Sequence, residues 1–413
     1  MKILLVVAYF PPEIGSAAHV YFDLAKAFVE KHHTFDVITS YPREFNLSKG
    51  DLGKDFPLNE TIEGIRIHRC KHPAQRDNVV LRGLEHFILP RYYFQTYKKL
   101  GKKFDVCLIY IPPLPLYYLA RKIKRYDGTK SILNFQDFHP QELTDVGVLK
   151  NPILIKIMKH IEKQAYKNAD FISVISHGGI EYILNRGGNP DKIAHIYNGV
   201  FLPQLETFLA RKNFKKEVGI EDKFLVSYAG ILSPFQGINS ILDAAKKMND
   251  NLDVVFYIVG DGIVKKQLDA RVKDEKISNV KILPFQSRED YFNIINSSDI
   301  SLVSLDERMN APCLPGKLIN LMAVKQPIIA AVSEKSETAQ IIKEAKCGII
   351  VKPQNCEELK NAVLHLNKNR REKENFGENG KRFLEVNMNL EKNIQKYEEI
   401  FKSCLNNERK LEN

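Results

Sequence analysis

A chain of 413 residues exceeds the usual size of one domain, so two compact domains of about 180 to 200 residues each are expected. With 44% hydrophobic and 27% charged residues it has the composition of a soluble globular protein, which excludes a disordered chain and an integral membrane protein. Six scattered cysteines without a C-x-x-C pair argue against a zinc site and a disulfide framework and fit a reduced, cytoplasmic setting, while the net charge of +11 leaves nucleic acid, an anionic membrane or no special partner to be weighed.

From its start the chain reads as strand, turn and helix. Lys2-Ile-Leu-Leu-Val-Val-Ala8 is a short apolar strand, Pro11-Pro-Glu-Ile-Gly15-Ser16 turns, and apolar residues at helical spacing continue through Val29. Nothing near Met1 has the charged leader, apolar stretch and cleavage site of a secretory signal, so export is not expected. Strands follow at 35–39 and 64–69. Between Arg82 and Lys103 six basic residues face the single Glu85 and alternate with Phe87, Tyr92, Tyr93, Phe94 and Tyr97. That mixture suits an anionic lipid interface, and it equally suits a solvated amphipathic helix that packs its rings inward. No RNP, zinc-finger or helix-turn-helix pattern accompanies the charge, which argues against a nucleic-acid partner. The apolar run 108–120 has 13 residues and carries Pro112, Pro113 and Pro115, too short and too broken to cross a bilayer.

Further strands are predicted at 106–110, 131–134, 171–175 and 193–196, with helical patterns between most of them. Asn198-Gly199-Val200 and Pro203 form a turn-rich junction, and the charged stretch 206–222 separates it from a second set of strands at 224–229, 254–259, 280–283, 300–303, 328–331 and 348–351. Short β-branched strands alternating with helices mean parallel, doubly wound sheets. The chain therefore divides into two such domains, 1–203 and 204–386. A charged helix over 387–413 either crosses back to the first domain or frays.

In such sheets ligands sit beyond the carboxyl ends of the strands, so the candidate residues are those at strand ends. Gly15 and Ser16 lie between the first strand and helix, where small residues let a phosphate reach the helix amides. A tight connection needs small residues in any case. Tyr228-Ala-Gly230-Ile-Leu-Ser233-Pro-Phe-Gln236-Gly237 has the same architecture in the second domain, and Gly260 and Gly262 lie at the next strand end, where an ordinary turn would also place them. Phe285, just past the strand 280–283, is a further candidate for the pocket that these strand ends would line. Pro315-Gly316-Lys317 opens a helix, and a cation there is unfavourable by about a few tenths of a kcal/mol unless an anion shares the site. Lys317 is thereby a candidate for binding a diphosphate. Asp137 and His139 follow the strand 131–134, where they could orient or deprotonate a hydroxyl, with helix capping as the competing role for Asp137. The chain holds no D-x-D pair, so no metal site is expected.

With these pieces together the chain resembles a GT-B retaining glycosyltransferase of family 4, in the branch that builds colanic acid, O-antigen and capsule repeat units. The resemblance runs from residue 1 to about 385 and is carried by Pro11-Pro-Glu-Ile-Gly15, Ile111-Pro112-Pro113-Leu114, Gln136-Asp137-Phe-His-Pro140, Ile175-Ser176, Tyr197-Asn198-Gly199-Val200, Tyr228-Ala-Gly230 with Gln236-Gly237, Gly260-Asp261-Gly262, and Pro315-Gly-Lys317 before Leu321-Met322-Ala323. It implies that the first domain binds the acceptor and the second the nucleotide-sugar, with a UDP-sugar donor, without metal or other cofactor, and a polyprenyl-diphosphate-linked acceptor. The sugar would be an N-acetylated hexosamine or deoxyhexosamine, transferred at the cytoplasmic face of a membrane. Two departures stand out. Where most members place an arginine and a lysine in the first loop of the second domain, this chain has Ile231 and Gln236, and the family's E-x7-E pair falls on Pro312 and Asn320. Asn320 would keep part of the ribose-binding role. Gly316 replaces a serine. A UDP-sugar 2-epimerase on the same architecture, or a non-catalytic partner protein, would also fit these residues.

Overall fold

The computed structural model describes residues 1–44, 47, 49–73, 79–209, 213–251 and 253–409. The last four residues of the tail and the side chain of Arg82 lie outside the described residues. The first half forms one sheet from β1 (Lys2–Val6), β2 (Thr34–Ser40), β3 (Asn59–Ile62), β4 (Ile65–Cys70), β5 (Val106–Ile111), β6 (Lys130–Phe135), β7 (Phe171–Val174) and β8 (Ile193–His195), in the order β3-β4-β2-β1-β5-β6-β7-β8. Every neighbouring pair is parallel except β3 with β4. The second half forms a wholly parallel sheet of β9 (Phe224–Ala229), β10 (Val254–Val259), β11 (Val280–Leu283), β12 (Ile300–Ser304), β13 (Ile328–Ala331) and β14 (Gly348–Val351), ordered β11-β10-β9-β12-β13-β14.

Both sheets are covered on both faces, which is why β5 and β9 are buried along their whole length and read as continuous apolar runs. On one face of the first sheet lie the helices Val79–Lys99, Tyr117–Asp127 and Pro152–Asn168, which contribute Tyr93, Tyr117 and Ile161 to a common core. The last of these starts sharply. Pro152 sits at its first position and Asn151 caps it, accepting from the N–H groups of Ile153 and Leu154 at 3.0 and 3.1 Å.

The opposite face carries the helix Ser16–Glu30 together with the final helix Leu390–Arg409. Phe28 stacks on Phe35 and Phe401, and the Asn134 amide donates to the Tyr397 hydroxyl at 2.9 Å. The helix Arg370–Asn387 belongs to the core of the second sheet, so the chain returns to the first domain between Asn387 and Leu390. Gly199 marks the crossing, since a Cβ there would stand 2.9 Å from that of Leu390. Among the described residues no helix is long and apolar enough to cross a membrane.

In each sheet the strand order reverses once, between β1 and β5 and between β9 and β12. A crevice at such a reversal is where parallel sheets bind ligands. Gly15 and Ser16 lie beyond β1, and Pro112 and Pro113 follow β5. Gly230 follows β9, and the segment 305–316 follows β12.

Candidate active site

Lys317 is the first residue of the helix Lys317–Ala323, capped by Gly316. Its ammonium lies 3.8 Å from the centroid of the Tyr228 ring and donates to Gln236 Oε1 at 3.2 Å. The Tyr228 hydroxyl donates to the same oxygen at 2.9 Å. Gln236, which stands where a loop cation is usual in the resembled family, thus holds a cation that arrives from elsewhere. Burial lowers the Lys317 pKa to about 7, and no carboxylate offsets the desolvation. A cation–π contact and one amide oxygen stabilise the charged form only in part, so the site favours an added anion.

The glycines around Lys317 have separate reasons. Gly230 takes φ +157, and a Cβ on it would stand 2.8 Å from the Lys317 ammonium. Gly260 and Gly262 instead let the loop after β10 touch the loop after β9, because a Cβ would fall 1.9 Å from the Gly230 carbonyl oxygen and 2.1 Å from that of Leu232. The two loops are joined by Gly230 N–H to Val259 O and Leu232 N–H to Asp261 O, each at 2.9 Å. Gly237 approaches Leu305 O, and Asp306 N–H donates to Phe235 O at 2.8 Å, which fixes the β9 loop against the end of β12. Ser233 precedes the 3-10 turn Pro234–Gln236 and makes no side-chain cap. Phe285, Pro315 and Asn320 are half-buried, and Asn320 donates to the Tyr291 hydroxyl at 3.3 Å.

Across the cleft Gly15 takes φ +156 at the start of its helix, and a Cβ there would meet open space. Ser16 reaches the second domain: a Cβ on Gly316 would stand 2.3 Å from Ser16 Oγ, so the serine usual in the resembled family would displace it. Asp137 does not cap the helix Gln141–Asp145, whose N-cap is Pro140. The burial that surrounds it raises its pKa to about 6, and burial lowers that of His139 to about 4, with His86 adding to the effect. His139 is therefore neutral at pH 7. Among the described residues no hydrogen bond joins Asp137 to His139. Glu142 lies deeper, accepting from Phe138 N–H at 2.7 Å, and burial and the Asp137 charge raise its pKa well above the usual carboxylate range.

Several residues not singled out from sequence hold the two domains together. Arg288 makes a bidentate pair with the buried Asp23, at 2.8 and 2.6 Å. His19, one turn into the same helix as Ser16, is held neutral with its pKa lowered to about 3 by burial and then by Arg288. Asp145 accepts from the N–H groups of Asn310 and Ala311 at 2.8 and 3.0 Å, and Glu337 from those of His177 and Gly178 at 2.8 and 3.1 Å. Nothing local in the sequence marks these partners, which are between 159 and 265 residues apart.

Two family models match the two halves. Residues 15–199 match the glycosyl transferase 4-like domain, and residues 210–383 match the glycosyl transferases group 1. An uncharacterised glycosyltransferase of Methanocaldococcus jannaschii is 24% identical over 62% of this chain and 64% of its own length, just under two thirds of that relative. The putative colanic acid biosynthesis glycosyl transferase WcaI of Escherichia coli is 20% identical over 87% of this chain and 90% of its own. Among solved structures, Anabaena HepE in complex with UDP superposes with a TM-score of 0.68 at 16% identity, covering 98% of this chain and all of that one. With both of its sheets, its cleft and both family models in agreement, this chain belongs to the GT-B glycosyltransferases of family 4, in the branch that includes the colanic acid enzyme.

Proposed function

We propose that the chain transfers a sugar from a UDP-sugar to a polyprenyl-diphosphate-linked acceptor at the cytoplasmic face of a membrane, in the assembly of a surface polysaccharide. The observation that carries this reading is the Lys317 ammonium, held against Tyr228 and Gln236 without a carboxylate. A diphosphate supplies the missing anion. The glycine-lined loops at Gly15 and Gly230 leave backbone close to it, Ser16 faces the same space, and Asn320 with Tyr291 lies within reach of the ribose side. The UDP bound to HepE and the colanic acid role in the name of WcaI support the donor and the pathway class.

The bond between the sugar's anomeric carbon and the diphosphate oxygen breaks, and a bond from that carbon to the acceptor oxygen forms. The acceptor proton passes to the departing phosphate oxygen on the same face, which retains the anomeric configuration without an enzyme nucleophile. Lys317 neutralises the charge that develops on the leaving group, in place of a metal. Asp137 and His139 orient the acceptor hydroxyl. As a donor sugar we favour an N-acetylated hexosamine or deoxyhexosamine.

UDP release measured across a panel of UDP-sugars, with a short-chain polyprenyl-diphosphate sugar as acceptor, tests the proposal. Release that requires the acceptor supports it. An epimerised sugar formed without acceptor would instead establish a 2-epimerase, and nucleotide binding without release under any acceptor would establish a non-catalytic partner.

A further inference from the structure

The three helices Val79–Lys99, Tyr117–Asp127 and Pro152–Asn168 cover one face of the first sheet, and their outer surfaces differ from the rest of the molecule. Among the described residues fourteen large apolar side chains stand exposed, and seven of them belong to these helices. Ile153 is the extreme case at 70% exposure, with Leu154 and Ile157 beside it on the same helix. Phe87 and Pro90 of the first helix and Tyr118 of the second form the apolar floor of a surface cavity of about 310 Å³, rimmed by Arg91, Arg121 and Arg125.

The charge on these surfaces has one sign. Their described exposed side chains include eleven lysines and arginines. All three of their carboxylates are engaged elsewhere. Glu85 is buried beside Arg43, Glu162 is buried and accepts from the Tyr166 and Tyr182 hydroxyls, and Asp127 closes its helix by accepting from Tyr97 and the Thr129 N–H. An exposed apolar patch ringed by cations suits neither water nor a neutral protein surface. It suits anionic lipid, into which isoleucine and phenylalanine insert at headgroup depth while arginines pair with phosphates.

We infer that this three-helix face docks the first domain on a bilayer rich in anionic lipid, with Ile153, Leu154 and Ile157 inserting and Arg91, Arg121 and Arg125 binding headgroup phosphates. The inference rests on the proposed lipid-linked acceptor for its purpose but on the exposed residues for its location. Two of the helices begin at the cleft end of the first sheet: Tyr117–Asp127 follows β5 through a single 3-10 turn, and Pro152–Asn168 follows the loop of Asp137 and His139 through one short helix. A bilayer against this face therefore lies beside the mouth of the acceptor side.

Co-sedimentation of the full chain with phosphatidylcholine vesicles, with and without 30% phosphatidylglycerol (about that fraction suffices to set a negative surface potential), tests it. Binding is expected only with the anionic lipid. The double variant R121E/R125E should lower the partition coefficient at least about thirty-fold, the factor that two basic residues near an anionic surface contribute. I153E/I157E, on another helix, should lower it about ten-fold or more. Both variants should keep the wild-type melting temperature and their acceptor-dependent UDP release with a soluble short-chain acceptor. No binding to anionic vesicles, or binding that neither variant weakens, overturns the inference. Self-association that the variants abolish while vesicle binding persists assigns the face to a second copy and also overturns it. Vesicle binding that behaves as expected in a protein with no transferase activity leaves this inference standing while the proposed reaction fails.

Discussion

Lys317 Nζ lies 3.8 Å from the centroid of the Tyr228 ring and 3.2 Å from Gln236 Oε1, and the Tyr228 hydroxyl donates to the same Gln236 oxygen. Tyr228 of β9 and Gln236 of the loop that follows it thus hold the cation at the start of the helix Lys317–Ala323. If it neutralises the leaving diphosphate, Lys317→Ala lowers turnover by about two or more orders of magnitude, the range seen on removing one preorganised stabilising group. Steady-state UDP release checks this, and a near-normal rate would refute the role.

The Lys317 pKa of about 7 also fixes a pH dependence for donor binding. Below about pH 6 the free site is already protonated, so Lys317 adds no further pH dependence to UDP affinity there. Above pH 7 the free site loses its proton and binding must restore it, so affinity should fall by up to about ten-fold per pH unit until the pKa of the bound state is reached. Titration calorimetry in buffers of different ionisation enthalpy should show proton uptake near pH 7.5, and Lys317→Met should abolish it. In the unliganded protein the sign is opposite. The folded pKa lies below the unfolded value of 10.5, so this group adds stability as pH rises from about 7 toward 10.5.

Asp23 is buried in the first domain, and Arg288 reaches it from the second with side-chain exposures of 13% for the arginine and 2% for the aspartate. Arg288→Ala leaves that carboxylate with the Phe201 N–H as its remaining neighbour among the hydrogen bonds described. A loss of about 3 kcal/mol in denaturant unfolding is expected, together with a larger radius of gyration in solution scattering as the domains separate. The double variant D23A/R288A should recover part of the stability, because no unpaired charge is then buried.

Gly260→Ala places a methyl 1.9 Å from the Gly230 carbonyl oxygen, at a φ of +155 that alanine rarely adopts. Backbone meets backbone here, so no rotamer change relieves the clash. The variant should lose about 3 kcal/mol or more and bind UDP more weakly, since the displaced Gly230 loop faces Lys317. Thermal unfolding and UDP titration on the same sample check both effects.

Removal of the final helix tests its part in the first domain. Ile394, Tyr397, Ile400 and Phe401 are buried in that domain's core beside Phe28. At about 1.5 to 3 kcal/mol for each large apolar side chain, a chain ending at Asn389 forfeits about 6 to 12 kcal/mol from these four alone, comparable to a typical domain's whole net stability. It should be insoluble or partly unfolded by circular dichroism.

The sequence alone determined the alternation of short apolar strands with helices, because burial on both faces leaves a continuous apolar run that is legible locally. It also placed Gly15, Gly230, Gly260 and Gly262 beyond strand ends, where backbone geometry restricts the choice of residue, and Lys317 at a helix start. The edge strand β3 was missed, because three of the four residues of Asn59–Ile62 are polar and two are exposed, so it carries no such run. Its pairing depends on the turn at Glu63 and Gly64, which both take positive φ. The sequence placed the basic and aromatic residues of the helix Val79–Lys99, and the structure shows that Tyr93 and Tyr97 point into the core while Phe87 and Arg91 stay outside. Only the tertiary structure set Tyr228 beneath Lys317, closed Arg288 on Asp23 across the cleft, turned the final helix back to the first domain and left the outer side of Pro152–Asn168 bare. Each of these joins or separates residues far apart in the chain, and a local pattern carries no record of which distant surface will cover it.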